Sequence, residues 1–405
     1  MRTMLRMPVR ATKRGGDRTP LGGHYDVLIC GASFAGLAVA RELAGAERPD
    51  GTPARVLVID RYEIGERQTS ACGIPTSWLY AMGLEGALQQ TFSELVVHTP
   101  YGTSRWPLPW SFSTFDYRTI CRILWEQSGG LVGFETAKVD GRTGDTVHTD
   151  RGDLSADLIV DALGWRRYLG RSPNVQPPEA FLSRGLEVHP DEPRTEMELW
   201  LDRKYVPAGY SWSFPADGEL RVGVGSFDPK FHVKEPTVRL AGDLDIPAVK
   251  YQGNWIPHKI RPAAEDGIFF VGDSAGQCLP LTAEGIRTAF YFGIRLGDEL
   301  RAVIAGRQGR EAALRNYGEF VDAHEWKFRW MLRAQRLLPK LPAHVQRAMI
   351  RACGRKRFVD WAFRHYLRIA PPEAASLPRQ GGGEREPLAT ADARVLRGEA
   401  EEQPV

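Results

Sequence analysis

The chain has 405 residues, 42% of them hydrophobic and 25% charged, with a net charge of +3. That length suits two or three globular domains, and a balance so near neutral gives no general affinity for nucleic acid, so any basic surface has to be local. The five cysteines, Cys30, Cys72, Cys121, Cys278 and Cys353, stand at neither metal-ligand nor disulfide-framework spacing, which predicts a reducing, cytoplasmic setting and no metal site.

Residues 1–24 mix Arg, Lys, Gly and Pro without periodicity and read as a disordered leader. No apolar run there has signal-peptide length, and none elsewhere reaches the roughly 18 residues that cross a bilayer. Order is predicted from Tyr25. YDVLIC (25–30) reads as a buried strand, GASFAG (31–36) as a tight turn, LAVARELAG (37–45) as a helix and RVLVID (55–60) as a second strand. Strand, glycine turn, helix and strand make a βαβ unit with a parallel sheet. From about residue 95 the chain reads as irregular and aromatic, through SRWPLPWSFSTFDY (104–117), until DYRTICRILWEQ (116–127) gives a helix. The stretch 146–164 reads as a hairpin turning at Arg151-Gly152 and then a buried strand.

Extended segments at 195–206, 209–215 and 220–227 predict a separate, mostly antiparallel sheet, its last two strands joined at Asp217-Gly218. GIFFVGDSAG (267–276) returns to strand and glycine turn, and 284–304 reads as a long helix. Residues 326–368 look helical and strongly basic, with Phe328, Trp330, Trp361 and Phe363 among the arginines, the composition of an interfacial helix on anionic lipid. A simply solvated helical cap is the alternative. From Pro371 onward the composition predicts a disordered tail. The predicted organisation is thus leader 1–24, a first nucleotide-binding part 25–180, an antiparallel-sheet segment 181–262, a second nucleotide-binding part 263–305, a basic helical region 306–370 and tail 371–405.

Gly31-Ala32-Ser33-Phe34-Ala35-Gly36 between strand and helix is a variant of the dinucleotide fingerprint, with Ser33 in place of the second glycine. The helix N-terminus offers free N–H groups to a pyrophosphate. Asp60 closes the second strand, followed by Arg61, and its carboxylate suits the hydroxyls of an unphosphorylated ribose, hence FAD or NAD. Gly272-Asp273, then PLTAEGI with Gly285 and Ile286 opening a helix, resembles the second FAD motif of glutathione-reductase-like flavoproteins. That resemblance implies FAD, with Asp273 on the ribityl hydroxyls. Arg118, at the start of its helix, is similar to the phosphate-contacting arginine of aromatic-hydroxylase-like flavoproteins. The segment Asp161–Gly164 resembles their strand and turn beside the cofactor.

PAGYSWSFP (207–215) alternates, with Tyr210, Trp212 and Phe214 on one face and Ser211 and Ser213 on the other. In order, Gly31–Gly36, Asp60, Cys72-Gly73, Arg118, Asp161–Gly164, Pro207-x-x-Tyr210-x-Trp212-x-Phe214-Pro215 and Gly272-Asp273 resemble the geranylgeranyl reductase family over roughly residues 25–300. The resemblance implies a mixed α/β (α+β) fold: a Rossmann-like βαβ FAD domain with a parallel sheet, an inserted antiparallel-sheet substrate domain and a helical C-terminal region. It implies an FAD-dependent oxidoreductase that reduces carbon–carbon double bonds of an isoprenoid chain, a polyprenyl lipid or quinone side chain. Tyr210, Trp212 and Phe214 would line its apolar cavity, and Cys72-Gly73 would lie beside the flavin ring. Here the chain continues Ile74-Pro75-Thr76 where the family commonly runs on in glycine, which leaves Cys72 open as proton donor or inert buried thiol.

No second nucleotide fingerprint is present, so NADPH and a small redox carrier are both open as electron donor. An FAD monooxygenase or halogenase acting on an aromatic substrate is the competing reading, although the halogenase pattern W-x-W-x-I-P is absent; a non-catalytic flavin or lipid carrier is a third. The expected partners are an apolar prenyl molecule and, through 326–368, the anionic cytoplasmic face of a membrane. Oligomeric state is not readable.

Overall fold

The computed structural model describes residues 19–68, 70–171 and 182–375. The expected leader up to residue 18 and the expected tail beyond 375 lie outside the described residues, as does the 180/181 boundary. Residues just inside those limits are packed. The Leu21 N–H donates to Arg151 O at 2.7 Å, and Ala370 and Ala375 are buried.

In chain order, β1 (His24–Cys30), α1 (Phe34–Glu42) and β2 (Val56–Asp60) form the expected βαβ unit. They are followed by β3 (Gly73–Pro75), α2 (Thr76–Ala81), β4 (Leu88–Thr99), β5 (Gly102–Phe115) and α3 (Tyr117–Glu126). Next come β6 (Val132–Thr136), β7 (Val139–Thr143), β8 (Thr146–Thr149) and β9 (Gly152–Asp161). The third group is β10 (Leu182–Val188), β11 (Glu198–Trp200), β12 (Gly209–Ala216), β13 (Glu219–Ser226), α4 (Lys234–Asp243) and β14 (Gln252–Pro257). The chain ends with β15 (Ala264–Glu265), β16 (Ile268–Phe270), α5 (Ile286–Ile304), α6 (Arg310–Leu337), α7 (Ala343–Cys353) and α8 (Lys356–Leu367).

The first sheet runs β15-β16-β9-β1-β2-β6, and β16, β9, β1, β2 and β6 pair in parallel. Its centre is apolar on both faces, as a parallel sheet covered on both sides must be. Val27 and Ile29 enter the core that contains α1 and α5, whereas Leu28 and Cys30 enter a second core with Leu154 and Phe270. The strand pairs Cys30↔Ile59, Cys30↔Asp161 and Phe270↔Asp161 bring the ends of four strands to one edge. All the glycine turns leave from that edge, where ligands of open α/β sheets bind.

The second sheet runs β14-β10-β13-β12-β11-β4-β5-β3, antiparallel except for β11 against β4. It is the expected antiparallel sheet, but 181–262 supplies only part of it; three strands come from 73–115. The stretch read as irregular is therefore strand. Pro107 and Pro109 hid it, since prolines argue against a central strand. β5 pairs β3 only through Phe112–Thr114, so up to residue 111 it has a partner on one side alone, and a register shift between Phe92 and Glu94 relieves the ladder beside Pro107. The extended reading of 195–206 shrinks to the three residues of β11.

One face of this sheet buries Val188, Val222 and Val224 against α4. The opposite face looks across at the first sheet's ligand edge, and α7 and α8 cover its far end through Ile350 and Phe363.

Candidate active site

At the cofactor end, Gly31 has φ +116°, and a Cβ there would stand 2.3 Å from Ala162 O; one on Gly36 would stand 1.9 Å from Gly31 O. No side chain fits either position, so the turn folds back on itself and brings α1 end-on to the cavity. Ser33, the N-cap, makes no side-chain capping bond, and no acid occupies the first turn. The first N–H groups of α1 are thus left for an anion. The Ser33 hydroxyl instead lies 3.2 Å from Tyr117 Oη.

The Asp60 carboxylate accepts from Ala32 N–H at 2.8 Å and Tyr62 N–H at 3.0 Å. Burial raises its pKa against those two bonds. One carboxylate therefore clamps both loops while its remaining lone pairs face the cavity. Asp161 plays the matching part on β9. It accepts from Leu163 N–H at 2.9 Å, Leu169 N–H at 2.8 Å and Ser274 Oγ at 2.6 Å, tying the Gly164 loop to the Gly272 turn.

The Asp273 carboxylate has no hydrogen-bond donor among the described residues. Burial lifts its pKa to about 6, opposed by Arg261. A half-buried acceptor without a donor, beside the Gly285 start of α5, fits a polyol. Leu281 and Ala283, with φ of +69° and +53°, hold the intervening loop in a left-handed conformation, and strain of that kind concentrates at functional sites. The loop is latched from outside. Tyr366 Oη bonds Glu284 and stands 2.8 Å from Thr282 Oγ1, while buried Arg287 donates to Leu367 O and Ala370 O at 2.9 Å each.

One cavity of 1890 Å³ runs from this end to the second sheet; ordinary ligand pockets hold about 300–1,000 Å³. Ser33, Phe34, Ala35, Asp60, Arg61, Gly73, Gly164, Gly272, Asp273, Gly285, Ile286, Tyr210, Trp212 and Phe214 all line it. Gly31, Gly36, Cys72 and Arg118 do not line it. Gly31 and Gly36 shape the turn from beneath. Arg118 is exposed on the first turn of α3, with its backbone against Gly65. Cys72, with φ +55°, is buried in the core, and its thiol donates to Ser70 O at 3.2 Å. Burial pushes that thiol up, so it stays protonated, but it is turned away from the cavity.

The far end is apolar. Leu95, Val97, Leu108 and Met197 form the floor, with Phe112, Phe214 and Phe363 packed on them. The three rings of β12 divide their contacts. Tyr210 Oη donates to Thr282 O at 2.6 Å, Trp212 Nε1 to Glu187 Oε2 at 3.1 Å, and Phe214 lies 6.3 Å from Phe112.

No family model matches the chain. It is 24% identical over 376 residues to digeranylgeranylglycerophospholipid reductase 2 of Methanopyrus kandleri, covering 82% of this chain and 91% of that protein. Digeranylgeranylglycerophospholipid reductase 3 of Methanosphaera stadtmanae is 24% identical over 349 residues, covering 74% and 83%. The solved geranylgeranyl bacteriochlorophyll reductase-like structure from Thermoplasma acidophilum superimposes with a TM-score of 0.74 at 17% identity, covering 87% of this chain and 98% of that one. The chain is an oxidoreductase that resembles the geranylgeranyl reductases over most of its length.

Within this geranylgeranyl reductase relative, several site residues carried no motif. Glu187, Trp110 and Phe363 line the cavity from three separate segments. The readable signal was the alternation VGVG in β13. Val222 and Val224 are core, while a Cβ on Gly223 would stand 2.3 Å from the Trp212 ring. A bare strand opposite a tryptophan marks where that ring lies flat.

Proposed function

We propose that the protein binds FAD across the two glycine turns and reduces carbon–carbon double bonds of an isoprenoid chain lying in the apolar groove. The observation that carries this reading is the continuity of one cavity from Ser33 and Asp273 to Leu108 and Phe363. The α1 N-terminus would hold the pyrophosphate, Asp60 the ribose and Asp273 the ribityl hydroxyls. When bound and reduced, the flavin supplies hydride for one alkene carbon. The protein orients the chain and excludes water. A polyprenyl tail offers no hydrogen bonds, so aromatic and aliphatic walls are what can hold it, each buried prenyl unit contributing a few kcal/mol at about 25 cal/mol per Å².

The relatives' names, digeranylgeranylglycerophospholipid reductase and, in Nicotiana tabacum, geranylgeranyl diphosphate reductase, support a prenyl substrate. Anaerobic, photoreduced enzyme mixed with geranylgeranyl diphosphate should yield products heavier by pairs of hydrogens. Flavin reoxidation that instead requires O₂ and an aromatic compound would establish a monooxygenase. Anaerobic mixing with NADPH decides between that donor and a small carrier.

The membrane face is part of the same proposal. Trp326, Trp330 and Trp361 are 61%, 67% and 57% exposed, beside Lys327, Arg329, Arg333 and Arg364. The neighbouring Leu338, Met349 and Ile350 line the groove, so a lipid tail would pass from an anionic bilayer directly into it.

A further inference from the structure

Four buried or half-buried charged side chains lie on the cavity-facing side of the second sheet and take no part in binding described so far. Glu187 in β10 and Trp212 in β12 flank Gly223 of β13, to which both pair directly. The missing side chain at Gly223 lets them meet: Trp212 Nε1 donates to Glu187 Oε2 at 3.1 Å, and Gln252 donates to Oε1. Two residues on, and so on the same face, His189 Nε2 stands 3.0 Å from Glu187 Oε1 while Nδ1 stands 3.2 Å from Glu219 Oε1. The Nε2 contact lies out of line for a hydrogen bond, so a small rotation of the ring opens or closes it. Behind Glu219, Arg221 donates to it at 2.9 Å and to Ala71 O at 2.9 Å, in the loop that precedes Gly73.

The exposures give the chain a direction. The side chains of Glu187 and His189 are 5% and 6% exposed, whereas that of Glu219 is 29% exposed. Glu187 is also on the cavity wall. A carboxylate at the surface, an imidazole between two carboxylates and a carboxylate at the cavity form a path for protons between solvent and substrate, completed when the ring turns Nε2 into line with Glu187. Buried charge is costly unless it is paired or used. Here it sits beside the point where, on the functional reading above, an alkene carbon needs a proton.

We propose that Glu219, His189 and Glu187 are a proton relay, with Glu187 delivering the proton to the substrate and Arg221 positioning the relay against the 70–73 loop. This inference rests on the isoprenoid-reductase reading. In the step, the alkene π bond breaks and two C–H bonds form. The hydride and both electrons come from the reduced flavin, which is oxidised; the proton leaves the His189 imidazolium, passes to the Glu187 carboxylate and from it to the other alkene carbon. His189 is then reprotonated from solvent through Glu219. The assignment moves the proton source from Cys72, whose thiol faces Ser70 O, to the relay, whose Glu187 is linked to the same Ser70 O through Gln252.

Burial pulls the His189 pKa down, but its contacts with Glu187 and Glu219 outweigh burial and carry it to about 9. Burial would raise Glu219, and His189 and Arg221 instead hold it at about 2. The charged groups around the imidazole are therefore Glu187 on its own segment and Glu219 with Arg221 on β13; Arg221 and Glu187 both also act on the Cys72 thiol. At neutral pH the relay stands loaded.

The test uses full-length, flavin-loaded, dithionite-reduced protein, with geranylgeranyl diphosphate as the probe. Glu187→Gln should slow single-turnover saturation of the probe at least ~100-fold, the usual reach of general acid catalysis, with flavin content and probe affinity unchanged. Glu187→Asp should recover part of that loss. His189→Gln should slow the step about tenfold and remove the decline in rate that the parent shows as pH rises through 9. Independently of turnover, nitrogen NMR should find His189 as an imidazolium at pH 8 in the parent and neutral in a Glu187→Gln, Glu219→Gln double variant. A neutral His189 in the parent, or a Glu187→Gln protein within threefold of the parent rate, overturns the relay and leaves the reductase reading standing. A parent that saturates no bond, with His189 still charged, overturns the reductase reading and with it the alkene as the proton's destination.

Discussion

The two ends of the cavity are built on different principles. At the end proposed for the cofactor the surface on offer is backbone: the N–H groups of α1, the Gly31–Gly36 turn and loops clamped by Asp60 and Asp161. At the end proposed for the substrate it is side chains delivered by β4, β5, β10, β12 and α8, which lie far apart in sequence. Backbone recognition requires a particular local conformation and so constrains a few contiguous residues. Side-chain recognition of an apolar chain requires only volume and shape, which many sequences satisfy. The first end should therefore fail abruptly when altered and the second by degrees.

The sharpest break is expected at the cradle. Gly31→Val combines a strained φ with collision against Ala162 and should cost at least about 3 kcal/mol and the flavin with it. Absorbance at 450 nm and urea unfolding measure both, and a flavin-loaded, stable variant would remove the cradle's special role. Trp212→Ala should cost about 3 kcal/mol by truncation yet keep the flavin while weakening geranylgeranyl diphosphate more than tenfold. Loss of flavin would make Trp212 a strut rather than a wall.

Smaller still is the pH effect of the relay. The folded pKa of His189, about 9, lies above its unfolded value, so its contribution is complete below about pH 6.5 and disappears as pH rises through 9. Urea midpoints between pH 6.5 and 9.5 should fall by the equivalent of about 2 kcal/mol in the parent and follow a flatter course in His189→Gln. Equal slopes would show that His189 is not charged. The smallest folding effect is expected on the outer face. Replacing Trp326, Trp330 and Trp361 together by Ala should change stability by about 0.5 kcal/mol or less per site, yet reduce sedimentation with phosphatidylserine liposomes about tenfold. Unchanged sedimentation would end the membrane proposal.

The membrane test uses substitutions because α6 cannot be removed cleanly. Tyr317 and Phe328 are fully or almost fully buried on it, and Tyr317 Oη donates to Phe270 O at 3.1 Å in the first sheet. The basic region read from sequence as a surface feature is thus also part of the core. Its outer face is what the sequence described; its inner face was hidden because the apolar residues at helical spacing were read for lipid.

By itself the sequence determined the βαβ unit, the Gly31–Gly36 turn, Asp60 at a strand end, the helix in 116–127 and the alternation of PAGYSWSFP, because each is written in contiguous residues whose conformation follows from their own sterics and periodicity. Tertiary structure alone decided the rest. It made strand of 102–115, where the prolines fall on a one-sided stretch, and joined two binding regions into one cavity. It turned the Cys72 thiol inward and set Glu187 on the wall instead. Arg221 reaches Ala71 across 150 residues, and Tyr366 reaches Glu284 across 82. Contacts at such separations depend on how two sheets pack, and no local pattern of residues encodes that distance.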